Sequence, residues 1–346
     1  MTRHAASSPV KVAVVGLGYW GPNLARNFDA LPEAELAWIC DGSAAQLARV
    51  TPRFPRARAS TSLDDLLGDP ALDAVVIATP VATHAAVAGQ VLAAGKHCFV
   101  EKPLAQAVAD AKSVADAARA AGLTLMVGHL LEYHPGIERL KQLVESGELG
   151  RVQYIYGNRL NLGKLRADEN ALWSLGAHDI SVLLRLAGEE PAECQAFGAS
   201  YMRPGVEDVV FCYLRFPSGI AAHLHLSWLD PHKERRFTVV GSERMATFDD
   251  MVPEQKLTVY DKGFNQSFDG YGQYVARSGD VWSPQVPDEE PLRIECRHFI
   301  ERVRDGGAPR SDGLAGVRVV RVLEDLQRSL KGRAALEPDA ALRTRT

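Results

Sequence analysis

The sequence predicts an α/β protein: a doubly wound parallel sheet at the N-terminus, then an α+β domain with an open, mostly antiparallel sheet. Three observations predict it. A β-branched apolar run, Val10–Val15, leads into Gly16, Gly18 and Gly21 and then into helical spacing at Leu24 and Phe28. Short apolar runs then alternate with helical patterns to about residue 150, as parallel strands joined by crossover helices require. From about Arg151 long strand patterns follow one another, as in an antiparallel sheet.

Taken in order, Pro22 suits a first helical turn, where its missing N–H costs nothing. Glu35–Asp41 reads as the second strand, Ser43–Val50 as a short helix and Ala57–Ser60 as a third strand. Ser62-Leu-Asp-Asp65 starts a helix that Gly68 ends. The apolar run Asp73–Ala78 is a buried parallel strand stopped by Pro80. Ala82–Ala94 is helical, His97–Glu101 is a strand, Val108–Ala121 is a helix capped by Gly122, Leu125–Val127 is a strand, and Pro135–Ser146 is an amphipathic helix. In the second half Val152–Asn161 is a strand and Asn170–Ala187 a helix with Gly176 inside it. Strands follow at 192–201, 208–216, 220–228, 235–240, 245–249 and 256–260, with a hairpin turn at Pro217-Ser-Gly219. Residues 263–291 read as a loop without period, 292–304 and 314–330 as helices, and 336–346 as a loose tail.

The glycines are spaced G-x-G-x-x-G between strand and helix. Gly16 permits the tight turn, Gly18 lets backbone approach a pyrophosphate, and Gly21 lets helix pack on strand. Helix-end N–H groups then hold the phosphates. Asp41 lies twenty positions past Gly21, where an acid accepts both adenosine ribose hydroxyls. It repels a 2′-phosphate, and Gly42-Ser43 supplies no arginine, so the expected cofactor is NAD rather than NADP. Residues 1–150 are therefore expected to be the dinucleotide-binding Rossmann domain. Residues 151–346 are expected to bind substrate and form the oligomer, the C-terminal helix being free to pack back on the first domain.

A formal charge of −4 gives no electrostatic case for nucleic acid or an anionic membrane. No apolar run approaches membrane-spanning length. Five scattered cysteines without a C-x-x-C support neither a disulfide framework nor a zinc site, and read as buried thiols in a reducing cytoplasm. No metal is expected.

Further motifs are Val76-Ile-Ala-Thr-Pro80 with Thr83-His84, Ala94-Gly-Lys-His-Cys-Phe-Val-Glu-Lys-Pro103, Val127-Gly-His129, Ala177-His-Asp179 and Pro309-Arg-Ser-Asp-Gly313. With them the chain resembles, over nearly its whole length, the Gfo/Idh/MocA family of NAD(P)-dependent oxidoreductases, in which Glu-Lys-Pro is a signature. Gly18-Tyr-Trp-Gly-Pro-Asn23, Arg159-Leu-Asn-Leu-Gly163, Asn170-Ala-Leu-Trp173 and Ser227-Trp-Leu-Asp-Pro231 make it similar to the branch of UDP-N-acetylglucosamine 3-dehydrogenases.

The resemblance implies a cofactor site of Gly16, Gly18, Tyr19, Trp20, Gly21, Asp41, Thr79, Pro80, His84, Glu101 and Lys102, with Lys102 beside the nicotinamide. A fixed ammonium there favours an alkoxide as hydride leaves; the bland reading is a surface lysine after a strand. His178 is the candidate acid–base, against a core histidine on a helix. Ser174 lies four residues earlier, on the same helical face, where many relatives carry aspartate. The usual carboxylate partner is thus missing, and Asp179 reads as a structural or orienting acid. His84 is equally a helix-start histidine. His129 and Tyr133 either line a substrate site or pack between domains. Arg159, Lys164 and Arg166 suit a diphosphate, and Asn161 and Asn170 suit sugar hydroxyls or an acetamido group, with a solvated basic face as the alternative.

The expected activity is hydride transfer between a ring carbon of a nucleotide sugar, C3 by the resemblance, and the nicotinamide. The alternatives are a keto-sugar reductase or aminocyclitol or inositol dehydrogenase of antibiotic biosynthesis, and a non-catalytic dinucleotide-binding regulator. The strands Val209–Phe216 and Ile220–Trp228 carry apolar side chains in both alternating sets, which predicts a homodimer or homotetramer joined through the second sheet.

Overall fold

The computed structural model describes residues 8–163, 165, 169–266 and 274–332. The chain runs β1 (Val10–Val15), α1 (Gly21–Ala30), β2 (Ala34–Cys40), α2 (Ala44–Val50), β3 (Arg58–Ser60), α3 (Leu63–Leu67), β4 (Ala74–Ile77), α4 (His84–Ala93), β5 (His97–Glu101), α5 (Val108–Ala121) and β6 (Leu125–Gly128). The six strands pair in parallel in the order β3-β2-β1-β4-β5-β6. The order reverses between β1 and β4, the switch point at which open α/β sheets bind ligands at their carboxyl ends. The β4 stretch Ala74–Ile77 is wholly buried, which explains its unbroken apolar run.

The chain continues through α6 (Pro135–Glu145), β7 (Val152–Leu162), α7 (Ala177–Ala187), β8 (Glu193–Ala199), β9 (Val209–Arg215), β10 (Ala221–Ser227), β11 (Leu229–Gly241), β12 (Met245–Asp249), β13 (Leu257–Gln266), β14 (Tyr274–Trp282), α8 (Pro291–Asp305) and α9 (Gly313–Gly332). The second sheet has the order β14-β13-β12-β11-β7-β10-β9-β8. Its pairs are antiparallel except β7 with β10. One face, with Ile155, Val210, Leu224 and Phe237, is buried. The other carries Phe197, Phe211 and Tyr213, which are exposed. On it Tyr156 stacks on His223 and Phe211 on His225.

The chain divides into two compact units. One gathers the described residues up to Tyr133 with Glu289–Val320, the other His134–Asp288 with the described residues from Arg321. The boundary drawn from sequence at residue 150 falls later than this division, because α6 packs on β12 and α7. Residues 289–320 join the first unit because α8 packs on α1 and β1. There Phe299 meets Phe28 and Phe99 edge to face, with centroids 6.2 and 5.6 Å apart. Fully burying such a ring contributes about 1.5–3 kcal/mol.

The expectation of a structureless loop over 263–291 is overturned at 263–266 and 274–282, while 283–290 carry no regular structure, as expected. β13 extends to Gln266 and pairs with β14 as an antiparallel hairpin. β14 is an edge strand with nearly all its side chains exposed, so no apolar alternation marked it. Among the described residues no helix is long and apolar enough to cross a membrane, and all five cysteines are free.

Candidate functional site

The glycine-rich turn joins β1 to α1. Gly16 has φ +89°, and a Cβ there would lie 2.6 Å from backbone atoms of Ala78 and Thr79. A Cβ on Gly21 would lie 1.8 Å from the Gly16 carbonyl oxygen. Both positions therefore admit glycine alone. Nothing lies within 4 Å of a Cβ built on Gly18, so its backbone is open to a pyrophosphate, and Tyr19 beside it is 91% exposed. Asp41, just past β2, accepts the Leu17 N–H at 2.7 Å and the Ser43 N–H at 2.8 Å. Its carboxylate thus braces the turn, and each oxygen keeps a further lone pair for a ribose hydroxyl. These residues fit a dinucleotide.

At the carboxyl end of β5, Glu101 accepts the Lys102 N–H at 3.2 Å and a hydrogen bond from the Trp20 side chain. Desolvation pushes its carboxyl up to about 7, against the pull of the Lys102 ammonium and these two donors. Trp20 therefore joins the glycine turn to the Glu-Lys-Pro segment. The Lys102–Pro103 bond is cis. His84, at the start of α4, reaches the same segment, with Nδ1 2.8 Å from the Pro103 carbonyl oxygen and Nε2 2.8 Å from that of Thr79. Thr83 Oγ1 lies 2.7 Å from Thr79 Oγ1. The first unit thus brings Trp20, Thr79, His84, Glu101 and Lys102 together.

His129, just past β6, is fully buried, and burial, helped by the Lys102 charge, lowers its pKa to about 3. It is neutral at physiological pH. Tyr133 does not present its hydroxyl to a ligand. It is 2% exposed, its oxygen lies 3.0 Å from Ser311 Oγ, and Arg310 stacks on its ring. Glu295 on α8 escaped the sequence reading. Both its carboxyl oxygens are buried without a hydrogen bond among the described residues. Burial, then the charges of Glu101 and Glu132, push it well above the carboxylate range.

In the second unit Leu172–Gly176 is a π-turn that passes into α7 at Ala177. At Gly176 the packing is tight: a Cβ would lie 2.9 Å from Leu226 Cδ1 and would have to displace that side-chain end. The wider turn lies between Ser174 and His178, so the same-face argument from α-helical spacing does not carry over unchanged. Such turns recur at functional sites. Ser174 is buried and His178 half-buried.

Two expected substrate contacts are otherwise engaged. Arg159 is 8% exposed and Asp179 1%. They form a bidentate pair, Nε to Oδ2 at 2.5 Å and Nη2 to Oδ1 at 2.9 Å. The guanidinium fork offered to a diphosphate is taken by Asp179. The signal was present: on a period of two Arg159 shares the inward face of β7 with Ile155 and Gly157, and helical spacing sets Asp179 on the stripe of Leu183 and Leu186. Asn170 caps the turn, its Oδ1 accepting the Trp173 N–H at 3.1 Å, while its amide donates to Glu207 at 2.5 Å and Gln327 at 2.9 Å. Asn161 is half-buried, with its Oδ1 unbonded among the described residues. Lys164 and Arg166 lie outside the described residues. Among those described, no cluster of His, Cys, Asp or Glu is arranged to hold a metal ion.

A six-stranded parallel sheet with this glycine turn and brace, followed by an open sheet, defines a dinucleotide-linked oxidoreductase of two domains. The family model for the oxidoreductase family with an NAD-binding Rossmann fold matches residues 10–129, and that for the GFO/IDH/MocA C-terminal domain matches 137–247. The chain belongs to the Gfo/Idh/MocA family. It is 29% identical to the UDP-N-acetylglucosamine 3-dehydrogenase of Acidithiobacillus ferrooxidans, over 90% of this chain and 94% of that protein. A solved structure described as an oxidoreductase of Magnetospirillum magnetotacticum MS-1 is similar with TM-score 0.80 and 33% identity, over 92% of this chain and 100% of that one. GenD2 from gentamicin A biosynthesis, solved in complex with NAD, is similar with TM-score 0.80 and 27% identity, over 95% and 97%.

Proposed function

We propose that this chain is an NAD-preferring dehydrogenase of a sugar ring, acting on the C3 hydroxyl of a nucleotide-diphosphate hexose. The observation that carries the reading is Lys102, held at the carboxyl end of a parallel strand by a segment bonded to the glycine turn through Glu101 and Trp20. The nicotinamide, when bound, takes up or returns the hydride. Lys102 holds a positive charge where the substrate oxygen develops negative charge. His178 takes the hydroxyl proton on oxidation and returns it on reduction. Asp41 accepts the ribose hydroxyls and repels a 2′-phosphate. The similarity to a UDP-N-acetylglucosamine 3-dehydrogenase supports the nucleotide sugar.

A second reading, a free aminocyclitol or aminoglycoside sugar, is favoured by the engagement of Arg159 with Asp179, which removes one expected phosphate ligand. The similarity to GenD2 supports it too. The test is a screen of UDP-N-acetylglucosamine, other nucleotide sugars, inositols and aminoglycosides with NAD and NADP, following nicotinamide absorbance in both directions. Preference for a polyol without phosphate selects the second reading. No turnover of any member, with tight NAD binding, leaves the regulator.

A further inference from the structure

His84 has an unusual surrounding for an imidazole. Both ring nitrogens point at backbone carbonyl oxygens, Pro103 from Nδ1 and Thr79 from Nε2, each at 2.8 Å. A carbonyl oxygen can only accept. A neutral imidazole has one N–H and one lone pair, so one of the two contacts would set lone pair against lone pair. Only the imidazolium donates to both. The ring is 2% exposed, so water does not stand in for either partner.

We propose that His84 is a positioning residue for the reaction assigned above: as an imidazolium it clasps the end of β4 at Thr79 to the turn at Pro103, and so fixes the backbone that carries Lys102. The proposal rests on that reading of Lys102. Two ends of the switch point meet in this ring: Thr79 follows β4, and Pro103 follows the candidate catalytic lysine directly. A rigid tether of this kind matters because a misplacement of about 1 Å can cost about a hundredfold in rate.

The charge is opposed from two sides. Lys102 is the charged group facing His84 from the β5 end, and His84 begins α4, where the helix dipole disfavours a cation. Glu101, raised to about 7, is largely protonated where His84 takes up its proton, so it does little to offset Lys102 there. Burial opposes the charge most, and the two carbonyls only partly restore it, so the ring titrates below its ordinary value. The sign follows. Above the folded pKa the ring loses one N–H and the clasp keeps a single bond; below it both bonds are made. Lys102 is therefore held by a proton-dependent tether.

The experiment reads the clasp first without substrate. Two-bond ¹H–¹⁵N spectra of ¹⁵N-histidine-labelled wild type, with His84 assigned by loss of its signals in His84→Gln, are followed as pH falls from 8 towards 5 (about the span over which histidine charge is normally set). The expected result is a passage from one protonated nitrogen to two. A ring that stays singly protonated over this range overturns the clasp. In parallel, lysines are dimethylated with ¹³C, and Lys102 is assigned by Lys102→Arg. Its resonance should shift with the His84 titration in wild type and lose that step in His84→Gln. Should His84→Gln fail to fold, assignment by His84→Asn and the wild-type titration still decide. Lys102 signals that ignore the His84 titration overturn the positioning role. Once a substrate is known, His84→Gln should lower kcat by about 10–100-fold with KM changed less than about twofold, and remove a limb of the pH profile. An unchanged kcat refutes positioning while leaving the dehydrogenase reading intact. Absence of any substrate refutes that reading and leaves the two spectroscopic results standing.

Discussion

Replacing Asp179 by alanine should destabilise the second unit by about 3–5 kcal/mol, the cost of leaving one half of a buried ion pair behind. The structure sets this magnitude. Asp179 is 1% exposed and Arg159 8%, and the two bonds are 2.5 and 2.9 Å long. The alanine strands a guanidinium on the inward face of β7. Removing both charges, as Arg159→Met with Asp179→Leu, should instead fall within about 2 kcal/mol of wild type, because the desolvation cost disappears with the pair. The assay is native-state hydrogen exchange of peptides from β7 and α7. Their slowest amides should exchange about a hundredfold to several-thousandfold faster in Asp179→Ala, at about 1.4 kcal/mol per tenfold. Acceleration below tenfold, or a double variant as labile as the single, would refute the reasoning. The same data reinterpret Arg159→Ala: a loss of activity on every substrate, tracking lost protection, marks a structural pair, whereas loss confined to nucleotide sugars marks a phosphate ligand.

Lys102→Ala should lower turnover at least about 100-fold, the scale of one oxyanion-stabilising group, with the NAD dissociation constant little changed; steady-state kinetics and a binding titration check it. Asp41→Ser should move cofactor preference towards NADP. It should also weaken NAD, because the Leu17 and Ser43 N–H groups lose their acceptor, and both dissociation constants report it. Glu101, raised to about 7, is stabilising in its protonated form. That contribution is full below about 4.5 and lost as pH rises through about 7, amounting to at most about 3 kcal/mol before solvent screening. Glu101→Gln should therefore flatten the fall in thermal stability between these values, and an unaltered pH–stability curve refutes the assignment. The exposed sheet face of Phe197, Phe211 and Tyr213 should be covered by a second copy of the chain; light scattering at micromolar concentration should give a dimer or larger, and a monomer overturns this.

The sequence by itself determined the first sheet, because its signals are local. The Val10–Val15 strand needs a β-branched run, the turn after it needs glycine at Gly16 and Gly21, and most strand ends are punctuated by proline or glycine. It also found most of the second sheet, where strands with one buried face alternate visibly. It missed β14, whose exposed side chains obey no pattern because an edge strand is held by backbone bonds to β13. The site divided in the same way. Residues tied to a motif, Trp20, Asp41, Thr79, His84, Glu101 and Lys102, stand together around the switch point. Residues judged by chemical type alone fared differently. Arg159 was matched to a phosphate because guanidinium suits one, yet Asp179, twenty positions on, takes it. Tyr133 gives its hydroxyl to Ser311, 178 positions away. Glu295 is pushed well above the carboxylate range by burial first and then by Glu101 and Glu132, neighbours that only the fold supplies. A side chain's type sets what it can bond, but its partner and charge are set by desolvation and by neighbours distant in sequence, and those exist only once the chain has folded.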